Sequence, residues 1–323
     1  MRKLAVVSRA PKELTPPLPP ATLARKHLIS LHDLTTPDID YLIDLGRRVK
    51  SAPTDYKRRL EGKTLAMICE KPSLPSRVTF DLGISQLGGR ALYLGSEEVE
   101  LSKPEGVKDV ARNLSLWVEV IMVRVRSHQT AMGLAESATV PVINALSDFE
   151  HPCQALSDYM TLVECKGKLA DITLAWVGDG NNTAHSLIYG AARLGVRMRI
   201  ATPPGYEPDR SVVADAKLEG GNVMLTHDPA EAVAGADVVY TDIWPDIGNE
   251  EETEARQEVF RSYQVNSQLM RAAAPQALFM HCQPTRRNEE VTGDVIDSPR
   301  SLVYPQAENC LHMQKAILLA LLS

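Results

Sequence analysis

The chain lacks any apolar run that approaches the roughly 18 residues a membrane-spanning helix requires. It also lacks an excess of positive charge. Lysine and arginine number 35 against 41 aspartates and glutamates, a formal net charge of −6, so a nucleic-acid partner is not expected. No CxxC pair and no local Cys/His cluster occurs. The five cysteines (Cys69, Cys153, Cys165, Cys282 and Cys310) lie far apart. That spacing excludes a disulfide framework or sequence-local metal knuckle and suits reduced thiols in a cytoplasmic enzyme. Most of them read as small buried hydrophobes. No repeat period points to a solenoid. The start, "MRKLAVVSRAPKELTPPLPP", is basic but has no long apolar segment, so no secretory leader is expected. Its prolines predict a flexible or polyproline arm over residues 1–26.

What the chain does have is alternation. Its 323 residues can bury a sizeable core and suggest about two domains. In the first half, strands are predicted at Thr64–Cys69, Arg90–Leu94, Val120–Val125 and Val140–Asn144, with helical patterns such as Val107–Val118 and Gln129–Ala138 between them. In the second half, strands are predicted at Ile172–Val177, Arg197–Ala201, Asn222–Thr226, Val238–Thr241 and Leu278–His281, again with helices between. Such alternation implies parallel sheets with right-handed crossovers. The fold class is α/β, with two doubly wound parallel-sheet domains. A helix starting near Pro152 bridges the two, and "PQAENCLHMQKAILLALL" forms a final apolar helix.

In open α/β sheets, ligands sit beyond the carboxyl ends of the strands. Those ends carry the chemistry-bearing residues here. The first strand leads into "EKPSLPSRVTF", Glu70 to Phe80, a helix mouth rich in hydroxyls and backbone N–H groups and therefore suited to an anion. Other strand ends supply Arg124 and Arg126, then His151 and Gln154 (three apart, on one helical face), Asp242, and His281 with Cys282. "GDGNN" is not a full dinucleotide fingerprint and reads more readily as a tight strand-to-helix turn. Singly, each residue has a plain structural reading: a paired arginine, a capping histidine, a packed thiol. Their common placement favours one cleft.

The chain resembles the aspartate/ornithine transcarbamylases, most closely the ornithine carbamoyltransferases. The resemblance runs from about Leu28 onward, in "EKPSLPSRVTFDLGISQLGG", "DVARNLSLWVEVIMVR", "FEHPCQALSDYMTLVE", "WVGDGNNTAHSL", "ADVVYTDIW", "FMHCQP" and "VTGDVIDSPRSLVYPQAEN". It implies a carbamoyl-phosphate domain over 27–150 joined by the returning helix at 306–323, and an amino-acid domain over 151–305. It further implies a homotrimer, no metal or organic cofactor, and two small-molecule substrates: a carbamoyl-phosphate-like donor and an amino-acid acceptor. Ser73, Leu74 and Ser76 would line the phosphate. Arg124 would bridge phosphate and carbonyl, His151 would donate to the carbonyl oxygen, and Gln154 would hold the carbamoyl amino group. Asn182 and Asp242 would meet the amino acid, Cys282 would lie beside the reacting amine with its neighbour's carbonyl helping to fix the carbamoyl group, and Gln283 would be substrate-binding.

Several positions depart from the family pattern. The phosphate motif Ser-x-Arg-Thr-Arg is Ser73-Leu74-Pro75-Ser76-Arg77, so Pro75 replaces the arginine that grips phosphate, while Arg77 occupies a mainly structural position. Cys310 replaces an arginine that faces the carbamoyl group. Gln283 stands for leucine, and Asp246-Ile247-Gly248 for the ornithine-loop Ser-Met-Gly. "PTRRN", Pro284 to Asn288, looks like the N-acyl-ornithine branch. Lys103, Arg126 and Arg286 are the possible replacement cations. The expected activity is carbamoyl transfer to ornithine or a related amino acid. The alternatives are a repurposed enzyme with another donor and a non-catalytic amino-acid-binding homologue.

Overall fold

The computed structural model describes residues 23, 25–70, 74–95, 97–99, 101, 103–244 and 250–322. Most of the expected N-terminal arm, Ser73 and the Asp246 loop lie outside the described residues.

Nine strands are described: β1 Thr64–Cys69, β2 Arg90–Gly95, β3 Val120–Arg124, β4 Val142–Leu146, β5 Thr173–Val177, β6 Arg197–Ala201, β7 Val223–Thr226, β8 Val238–Thr241 and β9 Leu278–His281. The helices are α1 Thr36–Ser51, α2 Leu74–Gln86, α3 Pro104–Leu114, α4 His128–Ser137, α5 Pro152–Lys166, α6 Asn182–Leu194, α7 Arg210–Leu218, α8 Pro229–Val233, α9 Glu250–Phe260, α10 Ser267–Met270, α11 Gly293–Ile296 and α12 Val303–Leu322.

The strands form two all-parallel sheets, ordered β2-β1-β3-β4 and β7-β6-β5-β8-β9. Their central strands are buried along their whole length, which is why they read as continuous apolar runs rather than alternating ones. Strand order reverses between β1 and β3 in the first sheet and between β5 and β8 in the second. At those switch points the connecting helices leave on opposite faces and a crevice opens beyond the strand ends.

Boundary differences have local causes. The fourth strand was expected at Val140–Asn144 but begins after Pro141, which has no N–H to give the ladder. The helix expected at Val107–Val118 starts three residues earlier, with a proline in its first turn, and closes with Ser115 Oγ donating to the Ala111 carbonyl. In "GDGNN", a Cβ on Gly180 would strike the backbone of Glu207 and Pro208. That loop is a close-packed strand-to-helix turn.

α5 runs between the sheets and is buried from Pro152 through Leu162. α12 packs on α1, α2 and α5, so the chain's last helix returns to the first sheet's layer. No described helix is long and apolar enough to cross a membrane.

Candidate active site

Register brings the first two functional side chains together. Cys69, the last residue of β1, is the Cα partner of Arg124, the last of β3. In the second sheet Thr241 pairs with His281, so the next residues, Asp242 and Cys282, emerge side by side. Cys282 Sγ donates to Asp242 Oδ1 at 3.0 Å. Asn181, the N-cap of α6, accepts from the Thr183 and Ala184 amides and donates from Nδ2 to Asp242 Oδ2 at 2.9 Å. Its neighbour Asn182, the residue expected at the amino-acid site, instead donates to the Ser147 carbonyl at 2.6 Å. Asn181 is thus committed to the helix cap and to Asp242, while Asn182 is the first residue of α6.

α5 opens at His151 with Pro152 in its first turn. The His151 backbone N–H donates to Ser186 Oγ, while its ring Nδ1 is enclosed and has no partner among the described residues. Burial, followed by the nearby Arg124 cation, pushes the imidazole down to about 3, so it is neutral at working pH. Arg124 is itself buried, and its Nε also has no partner. Burial lowers its pKa, against the opposing pull of the Cys69 and Cys282 thiols. Burial raises Cys282 well above a free thiol, and the Asp242 charge raises it further. Cys282 is therefore a protonated donor, not a thiolate nucleophile.

Gln154 lies one turn into α5. Its Nε2 donates to Asp158 Oδ1 at 2.8 Å, and its Oε1 faces the Cys310 thiol at 3.6 Å. Cys310 also donates to the Gln306 carbonyl at 3.4 Å. Burial, then the Asp158 charge, pushes that thiol up to about 12.

The helix mouth at α2 carries Leu74, Pro75 and a buried Ser76. Pro75 sits in the first turn, where a missing N–H costs nothing, and its carbonyl accepts from Thr79 Oγ1 at 2.7 Å. The Leu74 side chain is exposed and turned to solvent. The Arg77 guanidinium lies 4.1 Å over the Tyr93 ring of β2, a cation–π contact within the scaffold.

Of the three replacement cations, Lys103 and Arg126 are exposed and Arg286 is half-exposed, with Glu289 3.5 Å away. None makes a hydrogen bond or ion pair to Arg124, His151 or Gln154 among the described residues. Gln283 follows the Cys282 strand end with φ +61°, and its N–H donates to His281 Nδ1. Asp242, His281 and Cys282 bring ligand-type atoms within 4.8 Å of one another. Both imidazole nitrogens are occupied, however, with Nε2 on Glu290 and Nδ1 on Gln283. Asp242 and Cys282 are bonded to each other, and His281 is committed to Glu290 and Gln283.

Two parallel sheets whose switch points face one buried cluster of guanidinium, imidazole, amide, carboxylate and thiol define a two-lobed group-transfer enzyme. The chain belongs to the aspartate/ornithine carbamoyltransferase family. The family's carbamoyl-P binding domain matches residues 26–164, and its Asp/Orn binding domain matches 170–321. The chain is 49% identical over 303 residues to the anabolic ornithine carbamoyltransferase of Pyrococcus furiosus, covering 92% of this chain and 96% of that protein. The solved ornithine carbamoyltransferase from Pyrococcus furiosus superposes with a TM-score of 0.89 at 48% identity, covering 94% of this chain and 98% of that one. The one from Thermus thermophilus gives 0.84 at 43%, covering 93% and 99%.

Proposed function

We propose that this chain transfers the carbamoyl group of carbamoyl phosphate to the side-chain amine of ornithine. The observation that carries the reading is the apposition of Arg124 and His151, whose buried Nε and Nδ1 lack partners among the described residues, with the Asp242–Cys282 pair. Arg124 and the N–H groups at the start of α2 hold the donor's phosphate. His151 donates to the carbonyl oxygen as a neutral imidazole, where charge gathers in the tetrahedral transition state. Gln154 Oε1 accepts from the carbamoyl amino group. Asp242 holds the amino acid's ammonium, and Cys282 stands beside the attacking amine. A C–N bond forms and the bond from carbon to the phosphate oxygen breaks. Phosphate departs with the proton the amine gives up.

In this reading, residues 27–150 with 306–323 take the donor and 151–305 take ornithine. The enzyme is cytoplasmic and a homotrimer. Leu74, Val78 and Leu82 form an exposed stripe on one face of α2, with Leu92 exposed on edge strand β2, and this apolar face supports contact with another copy. Lys103, at the start of α3, is then a cation for a neighbouring site.

Pro75 and Cys310 favour a second reading, in which the same cleft runs a transfer from a donor without a phosphate. Purified protein incubated with carbamoyl phosphate and a panel of amino acids separates the two. Phosphate release coupled to a ureido product from ornithine supports the proposal. No turnover, together with no thermal shift from carbamoyl phosphate, overturns it.

A further inference from the structure

Behind Gln154 lies a chain of hydrogen bonds whose polarity is fixed at its far end. The His281 backbone N–H can only donate, and it donates to Gln306 Oε1 at 3.1 Å. That contact turns Gln306 Nε2 toward Asp158 Oδ1 at 2.7 Å and the Tyr240 hydroxyl at 2.9 Å. Tyr240 in turn donates to Asp158 Oδ2 at 2.9 Å. Asp158 is fully buried and every partner it has is a donor, which requires it to act as a pure acceptor. Its remaining partner is Gln154 Nε2 at 2.8 Å. A side-chain amide with its nitrogen committed this way presents its oxygen at the other end, where the Cys310 thiol now points at it.

We propose that Asp158, held as an acceptor by Gln306 and Tyr240, is a positioning residue that fixes the Gln154 amide with its oxygen toward the cleft. The inference rests on the reading of the site given above, because an outward oxygen is what a carbamoyl NH2 needs. A reversed amide would set two N–H donors against each other. The relay ties together α5, α12 and two strands of the second sheet, β8 and β9, so the orientation of one side chain depends on how both helices pack on that sheet. Burial leaves Asp158 raised to about 7 even against the pull of its three donors, so its acceptor role rests on the geometry of those bonds.

The test is a double-mutant cycle on the full-length protein: Asp158→Ala, Gln154→Ala and the pair. Turnover of carbamoyl phosphate and ornithine is measured with thermal unfolding as a folding control. Asp158→Ala is expected to lower kcat/KM about 10–100-fold, and the loss should vanish in the Gln154→Ala background. An equal loss in both backgrounds overturns the proposal, because it marks a structural role. Asp158→Asn, which keeps an acceptor oxygen, should recover part of the loss. A readout independent of turnover is hydrogen exchange at the Gln154 side-chain NH2, followed in glutamine-15N-labelled protein and assigned by its absence in Gln154→Ala. Those hydrogens should exchange slowly in the native protein and at least tenfold faster in Asp158→Ala. Unchanged exchange overturns the relay, whereas a native protein with slow exchange but no ureido product overturns only the functional reading.

Discussion

The two sides of the cleft differ in how far their own side chains satisfy one another. On the amino-acid side, Asn181, Asp242 and Cys282 close on each other with bonds of 2.9 and 3.0 Å. On the donor side, Arg124 Nε and His151 Nδ1 are enclosed without partners among the described residues. Leaving a buried polar atom unpaired costs about 1–3 kcal/mol, so a fold keeps two together where a ligand completes them. On the proposed function, one half of the site is wired before substrate arrives, while the other half is finished by the donor. The two positions read from the family resemblance as replacing arginines, Pro75 and Cys310, fall on that second half in the same reading.

The sharpest way to break the comparison is Arg124→Ala. With Pro75 and Cys310 in place, Arg124 is the guanidinium left beside His151, and its loss should abolish the thermal shift from carbamoyl phosphate. kcat/KM should fall at least on the order of 10³-fold, since a charge-assisted clamp and a transition-state donor vanish together. Retained affinity would place the phosphate elsewhere. Asp242→Asn probes the opposite half. The ornithine KM should rise about 10–100-fold with donor affinity unchanged, as expected when one charged hydrogen bond is weakened. If donor binding suffers instead, the two halves are not separable.

Restoring the missing cations tests the same contrast from the other direction. Pro75→Arg should tighten carbamoyl phosphate by about 10-fold or more, the worth of one hydrogen bond to a charged group. Cys310→Arg places a guanidinium beside Gln154 Oε1 and close to Asp158, and its charge should pull Asp158 below its raised value. Each gain is read as a lower donor KM. No gain from either substitution would show that this chain binds its donor without those contacts.

Much of this was legible in the sequence because parallel sheets advertise themselves. Buried strands such as "TLAMIC" and "TLAWV" are continuous apolar runs, and the strand-end rule located Arg124, His151, Asp242 and Cys282 without coordinates. The helix opening at Asn182 was legible too, as "NTAHSLIYGAARLG", but the hydrogen bond from its cap Asn181 to Asp242 was not. Asp158 was invisible for another reason. One acidic residue inside an apolar helix reads as a solvated position, and only the packing of α12 and β8 around it reveals a buried acceptor. Where the heads of Lys103, Arg126 and Arg286 lie was not legible. Charge in sequence does not say which way a long side chain points.

Protonation gives the smaller effects. With His151 pushed down to about 3, its ring C–H resonance should stay fixed between pH 5 and 8. A midpoint near 6.5 would mean that the ring is not enclosed as described. Glu150, the residue before it, tests the same wall of the site through stability. Its Oε2 accepts from the Leu31 N–H at 3.0 Å and from Ser186 Oγ at 2.9 Å, yet burial still raises the carboxyl to about 7. A raised acid binds more protons folded than unfolded between about pH 4.5 and 7, so its contribution to stability falls as pH rises through that window and stays low above it. Glu150→Gln keeps an oxygen for both donors and removes the ionisation. The variant should therefore melt about 2–4 °C above the native protein at pH 8 and lose that advantage at pH 5. Histidines held below their ordinary values, His27 and His151 among them, give the opposite slope, but they are common to both proteins and cancel in the difference. A melting difference that does not change with pH would show that Glu150 is ionised in the native state throughout, and that this side of the cleft is wetter than its packing indicates.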